Sequence, residues 1–177
     1  MGSHSVRAAT AADAAACAAI YAPYVLDTAI TFEEEPPTAE EMAARIGKAQ
    51  ERHAWLVLEQ EGRVVGYAYA GPFASRAAYR WSCEVSVYLE QGSVRRGGGK
   101  ALYAALLARL AERGYRRAFG GYTLPNPASE SLHRAMGFRL CGVHREVGFK
   151  HGAWRDVAWA QRDLGVDGAP PCSPPGN

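Results

Sequence analysis

The sequence predicts an α+β fold: a mixed, mainly antiparallel sheet of six to seven strands flanked by about four helices. Three observations predict it. Arg80 to Leu89 alternates strictly, with Trp81, Cys83, Val85, Val87 and Leu89 on one face and Arg80, Ser82, Glu84, Ser86 and Tyr88 on the other. Leu102, Leu106 and Leu110 then recur at helical spacing, widened by Tyr103 and Leu107. Finally, strand patterns are joined in some places by tight glycine turns and in others by helices, which mixes antiparallel and parallel neighbours.

The elements follow in order. Val6 to Ala9 suits a short first strand. Thr10 with Asp13 fits a capping box that opens an alanine-rich helix to about Tyr21. A loop through Thr31-Phe32-Glu33-Glu34-Glu35-Pro36-Pro37 follows, its glutamates reading most simply as a solvated charge run. Thr38 with Glu41 repeats the capping signal, and Met42 and Ile46 mark a second helix ending near Arg52. Trp55 to Glu59 and Val64 to Ala70 form a hairpin about Glu61-Gly62. After the alternating strand comes the leucine helix, stopped at Gly114. Arg117 to Thr123 reads as a strand. Asn126 is a good N-cap with Pro127 at the first helical position, and Gly137-Phe138 ends that helix. Arg139 to Phe149 and Trp154 to Arg162 are two final strands turning at Lys150-His151-Gly152. Residues 5–164 are expected to be one domain. Residues 1–4 read as disordered or a tag remnant, and 165–177 as a Pro/Gly-rich flexible tail.

The chain has 177 residues, 48% hydrophobic and 21% charged, with net charge +2, so no general basic field points to nucleic acid. No apolar run approaches a membrane span. Cys17, Cys83, Cys141 and Cys172 form no Cys-x-x-Cys pair and no metal spacing with histidine, so reduced thiols, no metal and a cytoplasmic protein are expected.

The motif that carries chemistry is Arg95-Arg96-Gly97-Gly98-Gly99-Lys100, between strand and helix. A glycine turn feeding a helix N-terminus exposes backbone N–H groups that favour an anion, usually a phosphate. A P-loop would need Gly at 94 and Ser or Thr at 101, where Val94 and Ala101 stand; a dinucleotide fingerprint would need Gly or Ala at 102, where Leu102 stands.

Ser86-Val87-Tyr88-Leu89, this turn and Ala101-Leu102-Tyr103 resemble the acetyl-CoA motif of the GCN5-related N-acetyltransferase (GNAT) superfamily, with Val94 departing at its first position and Gly98 replacing a usual larger residue. Tyr67 to Phe73 with Arg76 and Tyr79, Leu124 to Pro127, Leu132-His133 through Gly137-Phe138, Gly148 to Trp154, and Thr31-Phe32 before Glu35-Pro36 are similar to the phosphinothricin N-acetyltransferase branch. The likeness runs from Val6 to Asp163. It implies direct acetyl transfer from acetyl-CoA, without a metal, to the α-amine of a small glutamate-like amino acid: phosphinothricin, methionine sulfone or methionine sulfoximine. It also implies a homodimer. Another small amine or a peptide N-terminus as acceptor, or a non-catalytic acetyl-CoA sensor, are the alternatives.

The reaction needs a base for the ammonium, donors for an oxyanion and a proton for the leaving thiolate. Glu84, on the polar face before the motif, is the expected base. His133 suits proton transfer or relay, and a packed or cofactor-contacting histidine is the equal alternative. By resemblance, Val87, Tyr88 and Leu89 offer main chain to the cofactor, Asn126 touches its pantetheine arm, and Arg95, Arg96, Gly97, Gly98, Gly99 and Lys100 meet its phosphates. Arg76 and Tyr79 are expected to grip an anionic acceptor, with Phe32 covering the pocket.

Overall fold

The computed structural model describes residues 4–92 and 97–165. Their element order is β1 (His4–Ala8), α1 (Ala14–Asp27), α2 (Ala39–Arg52), β2 (Ala54–Gln60), β3 (Arg63–Pro72), β4 (Ser82–Leu89), α3 (Gly98–Glu112), β5 (Arg117–Thr123), α4 (Pro127–Ala135), β6 (Arg139–Lys150) and β7 (Ala153–Asp163). The seven strands form one sheet in the order β1-β2-β3-β4-β5-β7-β6. Every neighbouring pair is antiparallel except β4 with β5, which is parallel. That is the mixed sheet and four helices expected.

The local signals act as their chemistry requires. The Thr38 hydroxyl accepts from Glu41 N at 3.1 Å while Thr38 N donates to the Glu41 carboxylate at 2.8 Å. Thr10 N donates to Asp13 at 2.7 Å and opens a 3-10 turn, Ala11–Asp13, that leads into α1. Glu61 and Gly62, and likewise His151 and Gly152, carry positive φ in pairs, the geometry of two-residue hairpin turns.

One expectation is corrected. The first helix does not stop near Tyr21 but runs through Pro23 to Asp27. Pro23 gives up its own N–H bond and crowds the preceding turn, yet the helix continues and buries Val25 in its next turn. Beyond it the Thr28 hydroxyl donates to Tyr24 O at 2.6 Å.

The sheet separates two cores. On one face α3 lays Leu102, Leu106 and Leu110, all fully buried, over Cys83, Val85 and Ala118. At about 2–3 kcal/mol per buried leucine, this helix is a main anchor of the fold. On the other face α1 and α2 cover Trp55, Val57 and Tyr67 with Ile20, Met42 and Ile46. Burial pushes the Cys17 and Cys83 thiols up to about 12, consistent with inert small hydrophobes; both are free, as is exposed Cys141. Among the described residues no helix is long and apolar enough to cross a membrane. Cys172 and the expected tail beyond residue 165 lie outside the described residues.

Candidate active site

The site begins where two strands part. β4 pairs with β5 over only three residues, Ser82↔Arg117, Cys83↔Ala118 and Glu84↔Phe119. Beyond them β4 stays on β3 as far as Leu89, and β5 follows β7 to Thr123. A gap therefore opens through the sheet after Glu84. Strand alternation decides which main-chain groups face it. Trp81 O accepts from Arg116 N at 2.8 Å, and Glu90 N donates to Val65 O at 2.9 Å. Odd-numbered residues of β4 thus turn their main chain toward β5 and even-numbered ones toward β3. Val87 and Leu89 accordingly address the gap. Tyr88, expected with them, turns its main chain to β3 and packs its ring among Tyr21, Tyr24 and Tyr67. The Tyr24 hydroxyl donates to Leu89 O at 2.6 Å, closing the far end of the gap.

The glycine turn sits at that end. Gly97 has φ of 106° at the N-cap of α3, a conformation that favours glycine. Gly99 is buried, and a Cβ there would lie 3.2 Å from Leu132 and 3.7 Å from Leu89, so the residue lets α3 approach α4 and the tip of β4. The first N–H groups of α3, at Gly98, Gly99 and Lys100, precede the helical bonding pattern and leave a positive helix end beside the gap. Lys100 is exposed. Arg95 and Arg96, with Val94, lie outside the described residues.

Glu84 stands on the α1/α2 face at the lower rim of the gap, half-buried between its register partners Gly71 and Phe119. Burial raises its carboxyl above the ordinary range. Two residues along the same face, Ser86 pairs in register with Tyr69, whose hydroxyl pKa is pushed up chiefly by burial. Phe73 stacks on Phe119 at 4.1 Å and meets Tyr79 edge-on at 5.7 Å. Beside this wall is a cavity of about 680 Å³ whose lining includes Arg45, Tyr69, Gly71, Arg76 and Tyr79. The two expected acceptor contacts thus share one cavity. Phe32 is partly exposed, its ring seated on Gly148.

His133 is on the other face. It is buried under β5, with its ring against Gly120, the first β5 residue beyond the paired stretch. Its Nδ1 lies 2.8 Å from Ser129 O, which can only accept, so Nδ1 carries the proton. Its Nε2 then accepts from the Tyr103 hydroxyl at 3.2 Å. Burial lowers its pKa, favouring the neutral ring. Glu84 and His133 therefore flank one gap from opposite faces of the sheet. Asn126 caps α4, its Oδ1 accepting from Ser129 N at 3.1 Å.

Sequence reasoning missed Arg45, Tyr69, Phe73 and Phe119 as site residues; Tyr69 and Phe119 share strand parity with Glu84 across β3 and β5, whereas Arg45 comes from α2 and carries no such signal. It also read Glu33 as solvated. In the fold Glu33 pairs with Arg45 and accepts from Tyr21, so its carboxyl is lowered, chiefly by Arg45. Among the described residues no group of His, Cys, Asp or Glu is placed to hold a metal.

Comparison with known proteins identifies the family of the fold. The model of the acetyltransferase (GNAT) domain matches residues 6–159. A phosphinothricin N-acetyltransferase of Streptomyces viridochromogenes is 41% identical over 94% of this chain and 90% of its own length. An L-methionine sulfoximine/L-methionine sulfone acetyltransferase of Salmonella typhimurium is 31% identical over 94% and 98%. Among solved structures, a phosphinothricin acetyltransferase of Sinorhizobium meliloti in complex with acetyl-CoA superposes with a TM-score of 0.91 at 40% identity, covering 96% of this chain and 93% of that one.

Proposed function

Because this chain belongs to the GNAT acetyltransferase domain family and is an acyltransferase using acetyl-CoA, we propose that it acetylates the α-amine of a small, glutamate-like amino acid by direct transfer within a ternary complex. The observation that carries the proposal is Glu84, a half-buried carboxylate at the rim of the parted strands and next to a cavity with Arg76.

The protein's groups suit acetyl-CoA. An extended, amide-bearing arm fits a gap edged by the main chain of Val87 and Leu89 beyond the β4–β5 pairing, and a pyrophosphate fits the helix end at Gly98 to Lys100. Bound there, acetyl-CoA supplies an activated acetyl thioester. The work of the chain's residues follows. Glu84, raised by burial, takes a proton from the acceptor ammonium, directly or through water; each unit of amine pKa above the working pH otherwise costs about 1.4 kcal/mol. Main-chain N–H groups of Val87 and Leu89 receive negative charge developing on the carbonyl oxygen. His133 and Tyr103 lie across the gap from Glu84, so any proton they handle concerns the departing thiol rather than the amine.

Arg76 suits a carboxylate or phosphinate through paired hydrogen bonds, with Tyr79 beside it; Phe32, expected to cover the pocket, is seated on Gly148 and is not part of the cavity lining. Phosphinothricin, methionine sulfone and methionine sulfoximine, the substrates named for its relatives, are the acceptors proposed. A homodimer joined through the β6–β7 hairpin completes the reading.

The test is thiol release from acetyl-CoA across a panel of amino acids, with Glu84→Gln as the control. Turnover on a phosphinothricin-type acceptor and a loss of roughly a hundredfold or more in the variant are expected. Tight acetyl-CoA binding without turnover on any amine would instead make the protein a sensor, and equal activity in Glu84→Gln would remove Glu84 as base.

A further inference from the structure

The turn between β6 and β7 reaches across the molecule to the loop between α1 and α2. Lys150 is buried, yet its ammonium is fully engaged: Nζ donates to Val25 O at 2.6 Å, Thr31 O at 2.8 Å and Glu33 O at 2.8 Å, one acceptor for each N–H. Val25 lies in the last turn of α1, where carbonyls lack helical donors and the helix end favours a cation. A buried ammonium is costly unless so satisfied. The neighbouring residues hold the same loop. His151 Nε2 lies 3.2 Å from Thr28 O, and Gly148 has no side chain where the Phe32 ring rests; a Cβ there would overlap it.

This loop connects to the acceptor cavity. Its Glu33 carboxylate takes the Arg45 guanidinium, with one contact at 2.9 Å, and the Tyr21 hydroxyl, which in turn meets the Thr31 hydroxyl at 2.6 Å. Arg45 lines the cavity together with Arg76 and Tyr79. Arg45 and Tyr69 both line that cavity. A chain of contacts thus runs from Lys150 through Glu33 to Arg45 at the cavity wall.

We infer that Lys150 is a positioning residue for the acceptor: by tying Val25 O at the end of α1 to two carbonyls of the α1–α2 connection, it holds the loop that carries Phe32 and sets the Glu33–Arg45 pair against the cavity. The inference rests on the acceptor reading above. The hydrogen bonds of Lys150 go to the end of α1 and the α1–α2 connection, so its loss is expected to act chiefly on the acceptor side.

Two variants test it: Lys150→Met, which keeps the stem without donors, and Gly148→Ala, which displaces Phe32 and leaves Lys150. Steady-state kinetics are run with acetyl-CoA and the best amino-acid acceptor, and hydrogen exchange is followed over residues 28–38. The acceptor KM should rise roughly tenfold, the loss expected for one misplaced hydrogen-bonded contact, with the acetyl-CoA KM changed less than about twofold. Loop amides should lose protection in Lys150→Met. If the wild type acetylates no amino acid, the acceptor reading fails, and unchanged loop protection in Lys150→Met overturns the strap as well. Lost protection with an unchanged acceptor KM, or equal rises in both KM values, reduces Lys150 to a structural clamp and overturns the inference. Should Lys150→Met not fold, an unchanged acceptor KM in Gly148→Ala overturns it.

Discussion

Glu84 and His133 differ in what their surroundings allow. Glu84 is desolvated by burial, so its pKa moves up. A base displaced upward holds its proton over more of the acid range, and activity falls as pH drops through that displaced value. His133 has both ring nitrogens engaged and is kept neutral by burial. The expected pH profile of kcat/KM therefore has an acid limb above the ordinary glutamate range, and the limb stays in place in His133→Gln even if the rate falls. A limb that moves with His133→Gln would transfer the base role to the histidine. Glu84 was readable in the sequence because strand parity and the following glycine turn both bear on it. The placement of His133 across the sheet was not, because it depends on β5 leaving β4 just below Gly120.

At the scale of elements, the β6–β7 hairpin is the part whose surface does not suit water. Phe149 and Trp154 are paired in register, with rings 5.3 Å apart, and are 57% and 60% exposed. Val147 and Leu140 on β6 are also exposed, and β6 is the last strand of the sheet. An apolar edge of this kind is normally covered. A second copy seated there is the proposed occupant. Sedimentation at micromolar concentration is expected to give a dimer for the wild type and a shift toward monomer for Trp154→Glu; a wild type sedimenting as monomer would defeat the proposal. Local chemistry made the hairpin legible through its turn residues, and likewise the capping boxes at Thr10 and Thr38. Long-range chemistry left less trace. Pro23 looks like a helix stop, but burial of Val25 outweighs it. Lys150 finds acceptors up to 125 residues away that are all main-chain carbonyls, so no side-chain pattern announces them.

Across the whole molecule, ionisable groups on different elements make stability depend on pH. His53, stacked on Tyr115 at 5.1 Å, is lowered to about 4 by burial and then by Arg113 and Arg52; His133 is lowered by burial. Asp13 is lowered to about 2, chiefly by its hydrogen bonds from Arg7, which also bridges to Glu59. A depressed histidine binds fewer protons folded than unfolded, so its contribution is complete above 6.5 and is lost as pH falls toward the folded value. A depressed carboxylate contributes above its unfolded value of 3.8 and loses that contribution as pH falls toward 2. Glu84 opposes them: its raised pKa gives stability below 4.5 that is lost as pH rises through the folded value. The histidine step therefore comes first on acidification, at roughly 3 kcal/mol or less for His53, and on the order of several degrees in Tm for a chain of this length. Calorimetry between pH 7 and pH 2 is expected to show Tm falling in the window from 6.5 to about 4 and again below 3.8. His53→Phe keeps the stack on Tyr115 without a proton to gain, so it should flatten the upper step and leave the lower one. The same slope in the variant as in the wild type would remove His53 as the source.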